Sequence, residues 1–354
     1  MKTFRVIDTG LREGRRQIAF DQAMIDARKS GRIPDSIRFL RFPPTALIGR
    51  HQALAREVKL DYCRSHGIGV VRRITGGGAI YFDEGQLGWE LVFDRATLGI
   101  ASLGDLARAI CEAAAAGLSR LGINAKYRPR NDIEVDGRKI SGSGGFFDED
   151  TLFYQGTVLV DMNPADMIAA LNVPEAKLAK RALDSAAQRV VTLKELLGTP
   201  PAMDAIKGAL LAGFAERLGI TPVPGAITVD EESLAAKYHD QEIGTDAFVA
   251  EIDDPGTREG VRSASHTGAG GTITAYVRLE GPGLDRVREV LVTGDFFVTP
   301  PRTVFDLEAS LRNVPVRELR PAVERFFNEA KVGLLTVSPA DFATAIEAAA
   351  AAAR

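Results

Sequence analysis

The chain has 354 residues, of which 45% are hydrophobic and 26% charged, enough for a packed core in one large or two ordinary domains. With 44 lysines and arginines against 47 acids the formal charge is −3, so no overall basic field argues for a nucleic-acid partner. Two distant cysteines, no signal-like amino terminus and no apolar stretch of membrane-spanning length make a soluble, cytoplasmic protein the expectation.

In chain order, residues 14–29 set Phe20, Met24 and Ala27 at helical spacing and stop at Gly31 and Pro34, predicting an amphipathic helix. Strands are expected at 36–42, 46–49 and 68–74. Strands at 79–82 and 88–94 are read as two further members of one antiparallel sheet. Ser102 is placed to cap a long helix that ends at Gly122. Asp136-Gly137, flanked by strand residues in 131–142, is a strong hairpin signal. A strand follows at 152–161, then helices near 165–171, 193–197 and 202–218. Prolines and acids dominate 222–265, after which 272–280 and 288–297 read as strands and 342–353 as an alanine-rich helix.

Two stretches carry the chemistry. In VRRITGGGAIYFDEG (71–85) three glycines lie between two strands, behind Arg72 and Arg73. Their backbone N–H groups can converge on a phosphate or carboxylate, although an isolated triplet is as readily a turn. The pattern is neither a P-loop nor a dinucleotide fingerprint, because no helix follows. In RNDIEVDGRKISGSG, Lys139 follows the tight turn and precedes Ser141, Gly142 and further small residues. A lone lysine is usually solvated surface. Asn131 and Asp132 open the same hairpin, however, and Asp132 is a carboxylate of the type Mg²⁺ prefers. Lys177, Lys180, Arg181 and Arg189 add charge further on, each more simply read as surface. His51, His66, His239 and His266 show no partner spacing, and Cys63 and Cys111 read as structural.

These motifs resemble the lipoate–protein ligases of the biotin/lipoate ligase superfamily. The matching segments are RRITGGGAIYFD, RNDIEVDGRKISGSG, the Gly156-Thr157 of YQGTVLVD, and RVVTLKELL. The resemblance implies an α/β (α+β) fold: a mainly antiparallel mixed sheet with flanking helices, plus a small C-terminal α+β accessory domain. It implies a catalytic domain over 1–245, a linker near 246–259 and an accessory domain over 260–354. The implied activity is ATP-dependent conversion of lipoate or octanoate to an acyl-adenylate, then transfer to a lysine of a lipoyl-domain or H-protein-like acceptor.

Carried over by resemblance, Lys139 is the catalytic residue. Arg72, Arg73, Gly76, Gly77, Gly78, Ala79, Asn131, Ser141, Gly142, Gly156 and Thr157 bind the acyl-adenylate, and Asp132 holds Mg²⁺. ATP and Mg²⁺ are the expected cofactors, with no nucleic acid or membrane partner, and the chain is expected to be a monomer. The sequence departs from the family at Phe82, Gln86 and Tyr154-Gln155, and in GGFFDEDTL after Ser-Gly-Ser. The alternatives are an octanoyl or lipoyl transferase that uses a cysteine and no ATP, and a non-catalytic carrier-binding homologue.

Overall fold

The computed structural model describes residues 2–100, 102–129, 131–172, 189–268, 270–330, 332–335 and 337–353. The larger part of the chain runs β1 (Lys2–Leu11), α1 (Gly14–Lys29), β2 (Ser36–Arg41), β3 (Thr45–Ile48), β4 (Gly69–Arg72), β5 (Ile80–Phe82) and β6 (Gln86–Asp94). It continues through α2 (Leu103–Ser119), β7 (Lys126–Arg128), β8 (Asp132–Val135), β9 (Arg138–Asp148), β10 (Thr151–Leu159), α3 (Met203–Leu218), β11 (Ile220–Pro224) and α4 (Val229–Gln241). Eight strands form one sheet in the order β11-β1-β2-β6-β10-β9-β8-β7. β1 is parallel to β11 and β2, while the remaining pairs are antiparallel.

Alternation along the strands loads both faces of this sheet. Phe39, Leu91 and Phe93 pack with Leu106, Ile110, Leu210 and Phe214 of α2 and α3. Leu40, Val92 and Phe153 turn the other way, against Phe20 and Met24 of α1 and Ala235 of α4. The Ser102 side chain accepts from Asp105 N and caps α2. Asp136 and Gly137 make the hairpin turn with φ of 51° and 79°, the left-handed pair such a two-residue turn requires.

One expectation needs correction. Strands 80–82 and 86–94 do not share a sheet: β5 folds back on β3, giving a separate three-stranded sheet in the order β4-β3-β5. A turn at Asp83–Gly85, where Gly85 N donates to Asp83 Oδ1 at 2.9 Å, separates the two strands. This small sheet suspends the glycine loop above the large one.

The acidic stretch after residue 222 contains α4, whose start is a reciprocal cap between Thr228 and Glu231. Glu231 also anchors α4 to β1 through Arg5 at 2.6 Å. A second, smaller unit follows: β12 (Arg262–Gly268), β13 (Gly271–Glu280), β14 (Arg286–Gly294), β15 (Val298–Thr299), α5 (Thr303–Ser310), α6 (Leu319–Glu329), β16 (Gly333–Leu334) and α7 (Pro339–Ala351). Its antiparallel β12-β13-β14 sheet packs Val277 and Val292 on Leu307, Phe342 and Ile346 of its helices. Among the described residues no helix is long and apolar enough to cross a membrane.

Candidate active site

A cavity of about 270 Å³ opens where the small sheet overhangs β9 and β10. Lys139, Arg73, Gly76, Gly77, Gly78, Asn131, Gly142, Gly156 and Thr157 line it, so most of the residues selected from the sequence converge. Arg72, Ala79, Ser141 and Asp132 are not part of the lining.

The two arginines have different surroundings because neighbouring strand residues point to opposite faces. The Arg72 guanidinium is caged by backbone carbonyls of Gly49, Arg50, Gln52, Phe248, Val249 and Ile252, at 2.7 to 3.3 Å. It therefore pins residues 248–252, the stretch between α4 and the second unit, onto β4. Arg73 donates to the carbonyls of Leu47, Gly76 and Gly78 at 2.9, 3.2 and 2.9 Å, holding the glycine loop in shape from beneath. Burial lowers both side chains to about 10, with the charge of Arg50 adding to the effect at Arg72. Both remain cationic at neutral pH.

Lys139 reaches across the bare backbone of β9. Its Nζ lies 2.7 Å from Asp132 Oδ1, and a Cβ at Gly142 would stand only 2.6 Å from that nitrogen. The other carboxylate oxygen of Asp132 pairs with Arg128 at 2.7 Å. Ser141 lies between these positions on the opposite, fully buried face of the strand.

Asn131 is fixed from behind. Its side-chain amide donates to Ser143 O, and Ser143 N and Oγ donate back to Asn131 O at 2.9 and 2.8 Å. Ser143 Oγ in turn meets Tyr154 Oη at 2.7 Å and Cys111 Sγ at 3.1 Å. Gln155 Nε2 donates to Thr75 Oγ1 at 2.7 Å and ties β10 to the start of the glycine loop. Gln86 lines the cavity and donates to Tyr81 O at 3.2 Å. The departures at Tyr154, Gln155 and Gln86 are thus structural braces of the pocket.

Neither cysteine lines the cavity. Both are fully buried, and burial raises both thiols above the usual range. Thiolate nucleophiles need the opposite environment. Of the basic cluster near the end of these motifs, Lys177, Lys180 and Arg181 lie outside the described residues, and Arg189 is exposed.

Of the apolar half of the site only Phe82 was singled out from the sequence, as a departure from the family pattern. Ile18, Leu40, Phe42, Leu47, Ile80 and Phe82 form a hydrophobic recess that continues from the polar mouth. They come from four elements, α1, β2, β3 and β5, and from Phe42 just after β2, and no short-range pattern links them. Glu90 lies at the floor, in a buried cluster with Arg38 and Asp21. Arg38 Nη2 is 2.8 Å from Asp21 Oδ1, and its Nε is 3.1 Å from Glu90 Oε2 without hydrogen-bond alignment. Burial, and then the negative charge of Glu90, keep Asp21 well above the usual carboxylate range. Phe297, from the second unit, is a further wall that no local pattern announced.

Residues 13–215 match the family described as lipoyl protein ligase A/B catalytic domain. Octanoyltransferase LipM of Symbiobacterium thermophilum is 31% identical over 69% of this chain and 96% of its own. Lipoate-protein ligase A subunit 1 of Thermoplasma acidophilum is 30% identical over 66% of this chain and 91% of its own. The solved bi-partite lipoate protein ligase of Thermoplasma acidophilum, studied with its E2 lipoyl domain, superposes with a TM-score of 0.65 at 27% identity, covering 71% of this chain and 98% of that one. A lipoate-protein ligase A bound with ATP gives 0.63 at 27% identity, over 71% and 99%. LipL1 of P. falciparum in complex with lipoate shares the fold over 93% of this chain and 95% of its own, with a TM-score of 0.70 at 17% identity. A glycine loop braced by an arginine, a lysine lining the same cavity beside an apolar recess, and this family match together place the chain in the lipoyl protein ligase A/B family.

Proposed function

We propose that the protein is an ATP-dependent lipoate–protein ligase. The observation that carries this reading is Lys139 in the lining of the same cavity as the glycine loop, while both cysteines lie buried outside it. In the first step a lipoate carboxylate oxygen attacks the α-phosphorus of ATP, the bond to pyrophosphate breaks, and a mixed anhydride forms. In the second, the amine of an acceptor lysine attacks the acyl carbon, AMP leaves, and the nitrogen loses a proton to give an amide.

Lys139 suits both steps, since negative charge grows on phosphate oxygens in one and on the carbonyl oxygen in the other. A fixed donor of this kind contributes about 3–4 kcal/mol to lowering a barrier. The recess of Ile18, Leu40, Phe42, Leu47 and Phe82 receives the acyl chain, each buried methylene adding about 0.8 kcal/mol. The acceptor is a lipoyl domain or an H-protein-like carrier. The ligase structure from Thermoplasma acidophilum was studied with such a domain.

Magnesium takes one or two carboxylates together with phosphate oxygens. Asp132 is one such carboxylate, and among the described residues no three acidic, histidine or cysteine side chains converge. That donor set fits an ion arriving on the nucleotide's phosphates, where it would neutralise their charge.

The second reading is an octanoyl transferase acting between carrier proteins, the activity in the name of the Symbiobacterium relative. One assay separates the two: the pure protein with lipoate, MgATP and a lipoyl domain, with AMP quantified and the acceptor weighed. The ligase reading expects one AMP per acylated lysine and no product without ATP. Acylation from an octanoyl carrier that proceeds without ATP would sink it.

A further inference from the structure

We propose that Phe297, supplied by the C-terminal unit, is the lid residue that excludes water from the activated acyl carbonyl beside Lys139. This inference rests on the ligase reading.

The position of the ring is set by hydrogen bonds on either side of it. Gly294 N donates to His51 O at 3.0 Å, and Gly77 N donates to Phe296 O at 3.1 Å. Phe147 N donates to Thr299 Oγ1 at 2.7 Å, and that hydroxyl donates back to Phe147 O at 2.9 Å. The adjacent Phe296 is fully buried and stacks on His51 with centroids 5.3 Å apart. These contacts fix the backbone on both sides of residue 297, whose ring lines the cavity.

The ring then lies across the two glycine surfaces. A Cβ at Gly77 would come within 2.7 Å of Phe297 Cζ, and one at Gly144 would overlap the ring outright. Gly144 follows Gly142 by two residues, on the same face of β9, and Gly142 is where Lys139 lies. The aromatic edge and the ammonium therefore lie over neighbouring glycines of one bare strand, and both line the cavity.

A mixed anhydride held beside them can be attacked by the acceptor amine or by water. Phe297 has no donor, acceptor or titratable group, so its contribution there is to occupy space that water would fill. The glycines at 77 and 144 are the counterpart of the ring, since any side chain at either position would displace it.

The test uses the full chain with Phe297→Ala and Phe297→Leu in the AMP and acceptor-mass assay above. The Ala variant is expected to release at least five AMP per acylated lysine, and Leu is expected to restore near-equal coupling. Coupling that stays at one AMP per lysine in the Ala variant overturns the proposal. So does faster pyrophosphate release with unchanged coupling, which would make the ring a plug. Synthetic lipoyl-adenylate mixed with each protein gives a readout independent of ATP use. The wild type should protect it from hydrolysis and Phe297→Ala should shorten its lifetime at least fivefold, while equal lifetimes overturn the proposal even if the wild type proves inactive with ATP.

Discussion

Lys139 and Asp132 form an ion pair at 2.7 Å on adjacent strands of one hairpin, with Arg128 closing the other side of the carboxylate. Removing the lysine therefore leaves Asp132 still paired, and the Lys139 side chain is 38% exposed. Lys139→Ala should unfold within about 1 kcal/mol of the wild type, yet lose about 10²–10³ in kcat as a missing oxyanion donor would. Steady-state AMP release and a thermal melt on the same preparation check the pair of outcomes. Full activity in the Ala variant would remove the catalytic role.

Cys63→Ser and Cys111→Ser should both keep turnover within about threefold of the wild type, because neither thiol reaches the cavity. Cys111 Sγ faces Ser143 Oγ and Tyr154 Oη, and a serine hydroxyl offers the same two contacts. If either variant folds normally by circular dichroism but stops acylating the acceptor, a covalent acyl-cysteine becomes the better mechanism.

The local chemistry of turns and caps was legible in the sequence, and the tertiary half of the site was not. Asp136-Gly137 and the Ser102 cap are each determined by residues within a few positions of one another. The cap of α4 was equally available in Thr228 and Glu231, but the surrounding acids and prolines made the region read as a change of character. Arg72 and Arg73 are indistinguishable by spacing. Only the carbonyls that converge on Arg72 from residues 49–52 and 248–252 separate their roles. Phe297 meets Gly144 across about 150 residues of sequence, a contact that neither periodicity nor turn chemistry encodes.

The floor of the cavity yields a stability prediction. Arg38 is the cation facing two buried carboxyl groups, so Arg38→Met should cost about 3–5 kcal/mol by leaving Glu90 buried without its partner. Burial, and then the charge of Glu90, raise the Asp21 carboxyl well above its usual range, and an amide there removes a charge that the site disfavours. Asp21→Asn should therefore cost less than about 1 kcal/mol. Urea unfolding of both variants at pH 7 reads the difference, and equal losses would refute this division between cation and carboxyl.

Two acids where the units meet set the pH dependence. Burial, and then the charge of Asp295 in the C-terminal unit, push Glu57 up to about 7, partly offset by a hydrogen bond from Gln52. Burial likewise raises Glu308 of α5 to about 7, offset by the Val292 N–H at 2.8 Å and reinforced by the charge of Glu251. Both values lie above the ordinary 4.5, so between 4.5 and 7 the native protein holds protons that the unfolded chain has released. Their favourable contribution is complete below that window and is lost as pH rises through about 7. A tenfold change in proton affinity corresponds to about 1.4 kcal/mol, so partial solvent screening still leaves on the order of 1–3 kcal/mol per site. The melting temperature should fall between pH 6 and pH 8 at constant ionic strength. Glu57→Gln and Glu308→Gln should each raise it at pH 8 and flatten the profile, and the double variant should flatten it most. A melting temperature that climbs over that interval in the wild type, or a slope untouched in the double variant, would show that these two carboxyls do not govern it.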